Sequence, residues 1–217
     1  MNPPFHLYRS DRDIVRVAQV VESSRSEGPG VRFCVWLQGC ELRCPGCCNP
    51  EMFDFQSPSA TDIPVATLIN QIRQARHRIE GLTLLGGEPL HQALAAGALA
   101  TATQALGLSV MVFSGYTLAV LAAEPEAAEL LAHTDLLVAG RFIVAARSID
   151  RPWVGSDNQS IHLLSPRYQG HPDLAAHRRQ SVHVQLVEDE LRVTGWPGAI
   201  SGVQIRPLVR PSDKGKR

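Results

Sequence analysis

Residues 31–47 read VRFCVWLQGCELRCPGC, an apolar run that leads straight into three cysteines, Cys40, Cys44 and Cys47. The run from Val31 to Leu37, rich in β-branched and aromatic residues, is the pattern of a buried strand. The spacing C-x3-C-x2-C then offers three thiolates from one short loop, whereas a 4Fe-4S cubane has four irons to cap. One iron would be left without a protein ligand, and an open coordination position is where a metal centre does chemistry. The same residues leave two plainer readings, a zinc site and unligated thiols. A four-cysteine zinc site wants two separated ligand pairs, but the nearby fourth thiol, Cys48, adjoins Cys47. Cys34 reads as a small buried member of the strand, and Cys48 as a thiol beside the site.

Outward from this stretch, short apolar runs alternate with longer helical ones, the signature of parallel βα units. Thr61 to Ile79 carries Val65, Leu68, Ile69, Ile72, Ala75 and Ile79 at close to a helical period, which predicts one amphipathic helix entered through Asp62 and Pro64. A second strand, Leu82 to Leu85, runs into Gly86-Gly87-Glu88-Pro89 and then an alanine-rich helix from about His91 to Leu106. A third, Ser109 to Phe113, ends in Ser114-Gly115-Tyr116, with helical sequence from Thr117 that Pro125 restarts. A fourth, Asp135 to Val138, ends in Ala139-Gly140-Arg141-Phe142. Each unit places glycine-containing residues just past the carboxyl end of its strand, the edge where parallel α/β proteins bind ligands.

Glycines after a strand often serve only a tight turn. Gly86 and Gly87 would also let a ligand approach the backbone while Glu88 accepts from an amine. Beside an iron with an open position, that describes a pocket for an amino-acid head group. Taken alone, Ser114-Gly115-Tyr116 is a strand-to-helix turn and His91 a helix-start residue. Trp36 and Trp153 read as core anchors, and Asn158-Gln159 as turn and surface residues.

The remaining sequence bounds the answer. Its 217 residues fit one domain, or one with a small appendage. Lys+Arg and Asp+Glu are both 21, so the formal net charge is zero, and neither nucleic acid nor an anionic membrane is expected as a partner. No apolar run reaches the ~18 residues of a membrane span, and Met1 to Ser10 lacks a signal peptide's hydrophobic segment, so a cytoplasmic protein is expected. Five cysteines, most of them crowded between Cys40 and Cys48, suit metal binding in a reducing compartment better than a disulfide framework. Arg147 to Tyr168 is turn-rich without a clear period, and Gly170 to Arg179 looks like a linker. Ser181 to Val187 and Leu191 to Thr194 alternate about Glu188-Asp189-Glu190, which predicts a β-hairpin. Arg206 to Arg217 is a basic, solvated tail.

The ordered set Gly28-Pro29-Gly30-Val31-Arg32, Gly39-Cys40 to Asn49, Gly86 to His91, Val112 to Tyr116, Leu137 to Phe142 and Trp153 to Gln159 resembles the radical S-adenosylmethionine superfamily. Within it the chain is similar to the glycyl-radical activating enzymes, most of all to the activating proteins of anaerobic ribonucleotide reductases. The resemblance implies an α/β fold, a partial (β/α) barrel, assigned to residues 1–168; the pattern read above makes 169–217 a linker, a C-terminal β-hairpin appendage and the basic tail. It implies one 4Fe-4S cluster on Cys40, Cys44 and Cys47, its open iron chelating the methionine end of S-adenosylmethionine. Gly86, Gly87 and Glu88 would face the methionine amine, Gly46 and Cys48 would lie near the adenine, and Ser114 near the sulfonium. An electron from a flavodoxin or ferredoxin would cleave the sulfonium, and the 5′-deoxyadenosyl radical would take a hydrogen atom from a glycine of a glycyl-radical partner enzyme. The cofactors would supply the radical chemistry and the protein the binding and orientation. Ala139 stands where relatives usually carry an acidic residue, Cys48 replaces a common aromatic or histidine, and the hairpin with Gly195-Trp196-Pro197-Gly198 lies beyond a minimal activating protein. Two rival readings stand beside this one: a radical S-adenosylmethionine enzyme that modifies a peptide or small molecule, and an iron-sulfur or zinc module for electron transfer or scaffolding.

Overall fold

The computed structural model describes residues 11–148, 150–175, 181–187 and 190–195. The basic tail and the end of the linker lie outside these residues, as do Trp196, Pro197 and Gly198. In chain order the elements are β1 (Ile14–Ser24), β2 (Arg32–Leu37), β3 (Thr61–Pro64), α1 (Val65–Ala75), β4 (Gly81–Gly86), α2 (Ala93–Ala105) and β5 (Ser109–Ser114). Then come α3 (Leu118–Ala122), α4 (Ala128–Ala132), β6 (Leu136–Ala139), β7 (Ser160–Leu163), α5 (Pro172–Ala175), β8 (Val182–Val187) and β9 (Glu190–Gly195).

One sheet of seven strands carries the order β3-β1-β2-β4-β5-β6-β7. β2, β4, β5 and β6 are the expected parallel strands, paired in continuous register from Arg32↔Gly81 to Ser114↔Ala139. β1, β3 and β7 extend it antiparallel at its two sides. The sheet is open, with β3 and β7 at its edges, so the observed class is a mixed α/β layer. β8 and β9 form a separate antiparallel pair, from Val182↔Gly195 to Val187↔Glu190.

Alternation along the strands decides which side carries the helices. Phe33, Val35 and Leu37 of β2, Leu82 and Leu84 of β4, Val110 and Val112 of β5, and Leu137 of β6 share one core with Leu68 and Ile72 of α1 and Leu99 of α2. The opposite face splits in two. Cys34, Trp36 and Leu85 cluster with Val21 and Met52, and Met111, Leu136 and Val138 with Val154 and Tyr168. Cys34 therefore sits as expected, a buried strand residue with its thiol pushed up by burial.

Two helix boundaries differ from the sequence reading. Thr61–Pro64 is a strand rather than the first turn of a helix, because β1 offers an edge that pairs Ile14 with Pro64 and Val17 with Thr61, and Arg16 reaches Asp62 at 3.1 Å. The helix occupies only Val65–Ala75 and stops before buried Ile79. His91 lies in a 3-10 turn, Pro89–Gln92, ahead of α2. Pro125 does restart helical structure, through a 3-10 turn that leads into α4. No helix among the described residues is long and apolar enough to cross a membrane.

On the face away from the helices, at the amino ends of the parallel strands, Arg32 is fully buried. Its guanidinium donates to Thr83 Oγ1 at 3.0 Å, Ser109 Oγ at 2.5 Å, Tyr168 Oη at 3.2 Å and the carbonyl of Leu82. A buried cation is tolerated here because each N–H finds an acceptor. Arg32→Met keeps the volume but orphans those acceptors, and urea denaturation should show a loss of about 3 kcal/mol or more.

Candidate active site

The carboxyl ends of β2, β4 and β5 are tied to one another by the backbone. Gly87 N–H donates to the Leu37 carbonyl at 2.7 Å and Glu88 N–H to the Gly39 carbonyl at 2.9 Å, so the GGEP turn is stitched to the start of the cysteine loop. The approach is so close that a Cβ on Gly87 would lie 2.4 Å from Gly39 O, and one on Gly86, whose φ is +104°, would lie 2.7 Å from Trp36 Cα. These glycines are thus required by contact between two segments of this protein.

Glu88 makes the third tie. It is 1% exposed, and its carboxylate accepts from Leu90 N–H at 3.1 Å and from Gly115 N–H at 2.8 Å, which joins the turn to the loop after β5. Burial pushes its pKa up to about 7 against the pull of those two amides and of the Ser114 hydroxyl. Ser114 Oγ receives Tyr116 N–H at 3.0 Å, and the Tyr116 hydroxyl meets His91 Nε2 at 3.0 Å, both rings buried.

Two amide side chains fix the foot of the cysteine loop. Gln92 Nε2 donates to the carbonyls of Arg16 at 2.9 Å and Gln38 at 3.0 Å, while Gln38 Nε2 donates to the Asp54 carbonyl at 2.7 Å. Farther along, the Arg141 guanidinium holds the Leu42 carbonyl, Asn158 holds the Arg141 carbonyl at 2.8 Å, and Gln159 holds Gly140 at 2.7 Å. The loops after β2, β4, β5 and β6 are therefore one hydrogen-bonded assembly.

They enclose a cavity of about 610 Å³ on the sheet face opposite the helices. Cys40, Cys44, Cys47 and Cys48 line it together with Gly86, Gly87, Glu88 and Ser114. Of the residues singled out from the sequence, Gly46 is not among those that line it; a Cβ there would meet Val144 and Phe142, the second of which is a wall residue. His91 also stays outside it. Trp36 and Trp153 do line the cavity, as does Gln159, so these residues shape the site besides packing.

The thiols differ in setting. Cys40 is buried, and burial pushes its thiol up to about 12; Cys44 and Cys47 are half-buried and Cys48 exposed. A hydrogen bond from Cys48 brings Cys47 down to about 6, and the same bond pushes Cys48 up. Metal binding at Cys40 would displace its proton. Among the described residues, no three His, Cys, Asp or Glu side chains gather round a single ion. A cubane makes no such demand, since each thiolate caps its own iron, and a soft all-thiol set opening onto a roomy cavity fits such a cluster.

A family model described as a 4Fe-4S single cluster domain matches residues 26–162. The anaerobic ribonucleoside-triphosphate reductase-activating protein of Vibrio cholerae serotype O1 is 33% identical over 143 residues, covering 64% of this chain and 91% of that protein. Its counterpart in Escherichia coli K12 is 31% identical over 143 residues, covering 63% and 91%. The chain belongs to this family of activating proteins.

Several wall residues of this activating-protein relative escape the sequence reading, Glu27 the most buried acidic one among them. Glu27 lines the cavity beside Arg25 and Ser26, 9% exposed, its carboxyl pushed up to about 7 by burial. Its place directly before Gly28-Pro29-Gly30 was the available signal.

Gly87→Ala should prevent the turn from seating on Gly39. Anaerobic reconstitution should then show iron and sulfide loading reduced severalfold, with a stability loss of about 2 kcal/mol or more. Gly107→Ala, where nothing lies within 4 Å of a new Cβ, should load normally and lose only about 1 kcal/mol through its positive φ.

Proposed function

We propose that the chain is the activating component for an anaerobic ribonucleotide reductase of the glycyl-radical type. The observation that carries this is the opening of three thiols, the Gly86–Glu88 turn and Ser114 onto one cavity at the carboxyl edge of the parallel strands. Its family membership supports the same reading. The four parallel strands would be the core of a partial (β/α) barrel, with residues 169–217 as an appendage.

Cys40, Cys44 and Cys47 would each hold an iron of a 4Fe-4S cluster. When bound, the cluster with S-adenosylmethionine on its uncapped iron supplies reductive cleavage to a 5′-deoxyadenosyl radical, which abstracts hydrogen from a glycine Cα of the partner. The chain's own part is placement. Glu88, its carboxylate pinned by Leu90 and Gly115, offers its remaining lone pairs to an ammonium group, and a cation there would draw its pKa back down. The Gly86 and Gly87 backbone fixes the height of that carboxylate above the cysteine loop. Ser114 and Cys48 line the cavity where the sulfonium and the adenine would lie. Trp36, Phe113, Phe142 and Trp153 give the cavity apolar walls. Shielding a reactive intermediate from water follows from such walls. The electron would come from a flavodoxin or ferredoxin.

Cys40→Ala, Cys44→Ala and Cys47→Ala should each abolish cluster assembly, whereas Cys34→Ala should retain iron and sulfide. The loaded protein, given S-adenosylmethionine and a strong reductant under anaerobic conditions, should release 5′-deoxyadenosine. A chain with its cluster intact that yields none would sink this reading.

A further inference from the structure

The hairpin β8–β9 ends inside the site. Ser181, Val193, Thr194 and Gly195 line the same cavity as the cysteines and Glu88. Thr194 is 4% exposed, and its hydroxyl lies 2.8 Å from Ser24 Oγ and 3.0 Å from Ser26 Oγ, which are themselves 3.0 Å apart. Next to this hydroxyl cluster, Gly195 N–H donates to Glu27 Oε1 at 2.5 Å. A strand end from the chain's own C-terminal part is thus held against the wall by backbone and hydroxyl contacts.

The geometry at Gly195 admits no other residue. Its φ is +100°, and a Cβ there would lie 2.2 Å from Ser181 O and 2.9 Å from Ser26 Cβ. The obstruction on the wall side comes from Ser26. The wall therefore accepts a glycine and rejects a side chain at that point. Immediately before the glycine it accepts a small hydroxyl residue. Glu27 supplies the backbone acceptor, and its charge reaches as far as the Cys48 thiol. A glycine held here lies at the rim of the cysteine site.

We propose that Ser24, Ser26 and Glu27 form a dock for an extended polypeptide segment in which a hydroxyl residue precedes glycine, and that Thr194-Gly195 of this chain occupies the dock until a partner's segment displaces it. The proposal rests on the activase reading, because that reading calls for a polypeptide glycine to be brought to this cavity. The hairpin is suited to a displaceable occupant. A two-stranded antiparallel pair is marginal by itself, and Val184 and Leu186 of β8 are exposed at 51% and 64%. A tethered occupant lowers the apparent affinity of a free one by the fraction of time it fills the site.

The test uses the full chain without S-adenosylmethionine or reductant. Amide hydrogen exchange reads the hairpin, and the probe is a synthetic peptide with the sequence of residues 190–195, blocked at both ends, beside its counterpart with alanine in place of the glycine. In the unaltered chain the Gly195 amide should be protected and the glycine peptide should bind weakly. Gly195→Ala should expose the hairpin to exchange and tighten binding of the glycine peptide by about tenfold or more. Glu27→Ala should also expose the hairpin but fail to bind the peptide. The alanine peptide should bind none of them. Protection retained in both variants overturns the proposal. So does equal binding of the two peptides, or no peptide binding once Gly195→Ala has opened the hairpin. A chain that passes these tests yet forms no 5′-deoxyadenosine when loaded and reduced would refute the activase reading and leave the dock standing.

Discussion

Two backbone hydrogen bonds, from Gly87 to Leu37 and from Glu88 to Gly39, hold the rest of the site in place. They join the ends of two neighbouring parallel strands at a separation that leaves no room for a Cβ. Parallel register brings Leu37 level with Gly86, so the turn after β4 emerges beside the loop after β2. Once these loops are bonded, the Glu88 carboxylate points across the edge and takes the Gly115 amide from the loop after β5. Glu88 thereby couples three loops, one through its backbone N–H and two through its carboxylate, and its burial with both oxygens engaged makes the arrangement rigid. The cysteine loop inherits that rigidity at its first ligand candidate, Cys40, one residue past Gly39.

The two faces of the sheet divide the labour. One face takes the apolar stripes of α1 and α2 and builds the larger core. The other is polar at the amino ends of the strands, where Arg32 collects Thr83, Ser109 and Tyr168, and apolar toward the carboxyl ends, where Trp36, Leu85 and Phe113 back the cavity. Arg32 therefore acts on the Cys34 thiol, while it is not among the groups that shift Cys40. Around Cys40, burial and the Glu88 charge favour the neutral thiol.

The parallel strands were legible because each is a short apolar run closing on a glycine-containing turn, and the cysteine spacing stood out by itself. What stayed hidden depended on partners far away in sequence. Thr61–Pro64 became a strand only because β1 presents an edge to it. The glycines of the GGEP turn were read as leaving room for a ligand, whereas their first requirement is contact with Gly39 and Trp36. Nothing in local sequence reveals such a contact, since it is made between loops about fifty residues apart. The expected place of Gly46 near the adenine rests on the resemblance and on no local signal; at its φ of 74° a Cβ would lie against Val144 and against Phe142, itself a wall residue.

The charge pattern of the cavity bears on what it retains. Glu88 and Glu27 are both buried on its wall, and burial pushes each up to about 7. An occupant that brings positive charge or several N–H donors recovers part of that desolvation cost, while a neutral apolar one recovers none. Beside Glu88, two backbone amides and the Ser114 hydroxyl already supply partial compensation, and an ammonium would add to it. Beside Glu27, the Gly195 amide and the Ser26 hydroxyl compensate only in part, since the carboxyl remains well above its ordinary range with both in place. The occupant of that position is consequently held by geometry more than by charge. A segment of the same shape with further donors would compete with it on favourable terms.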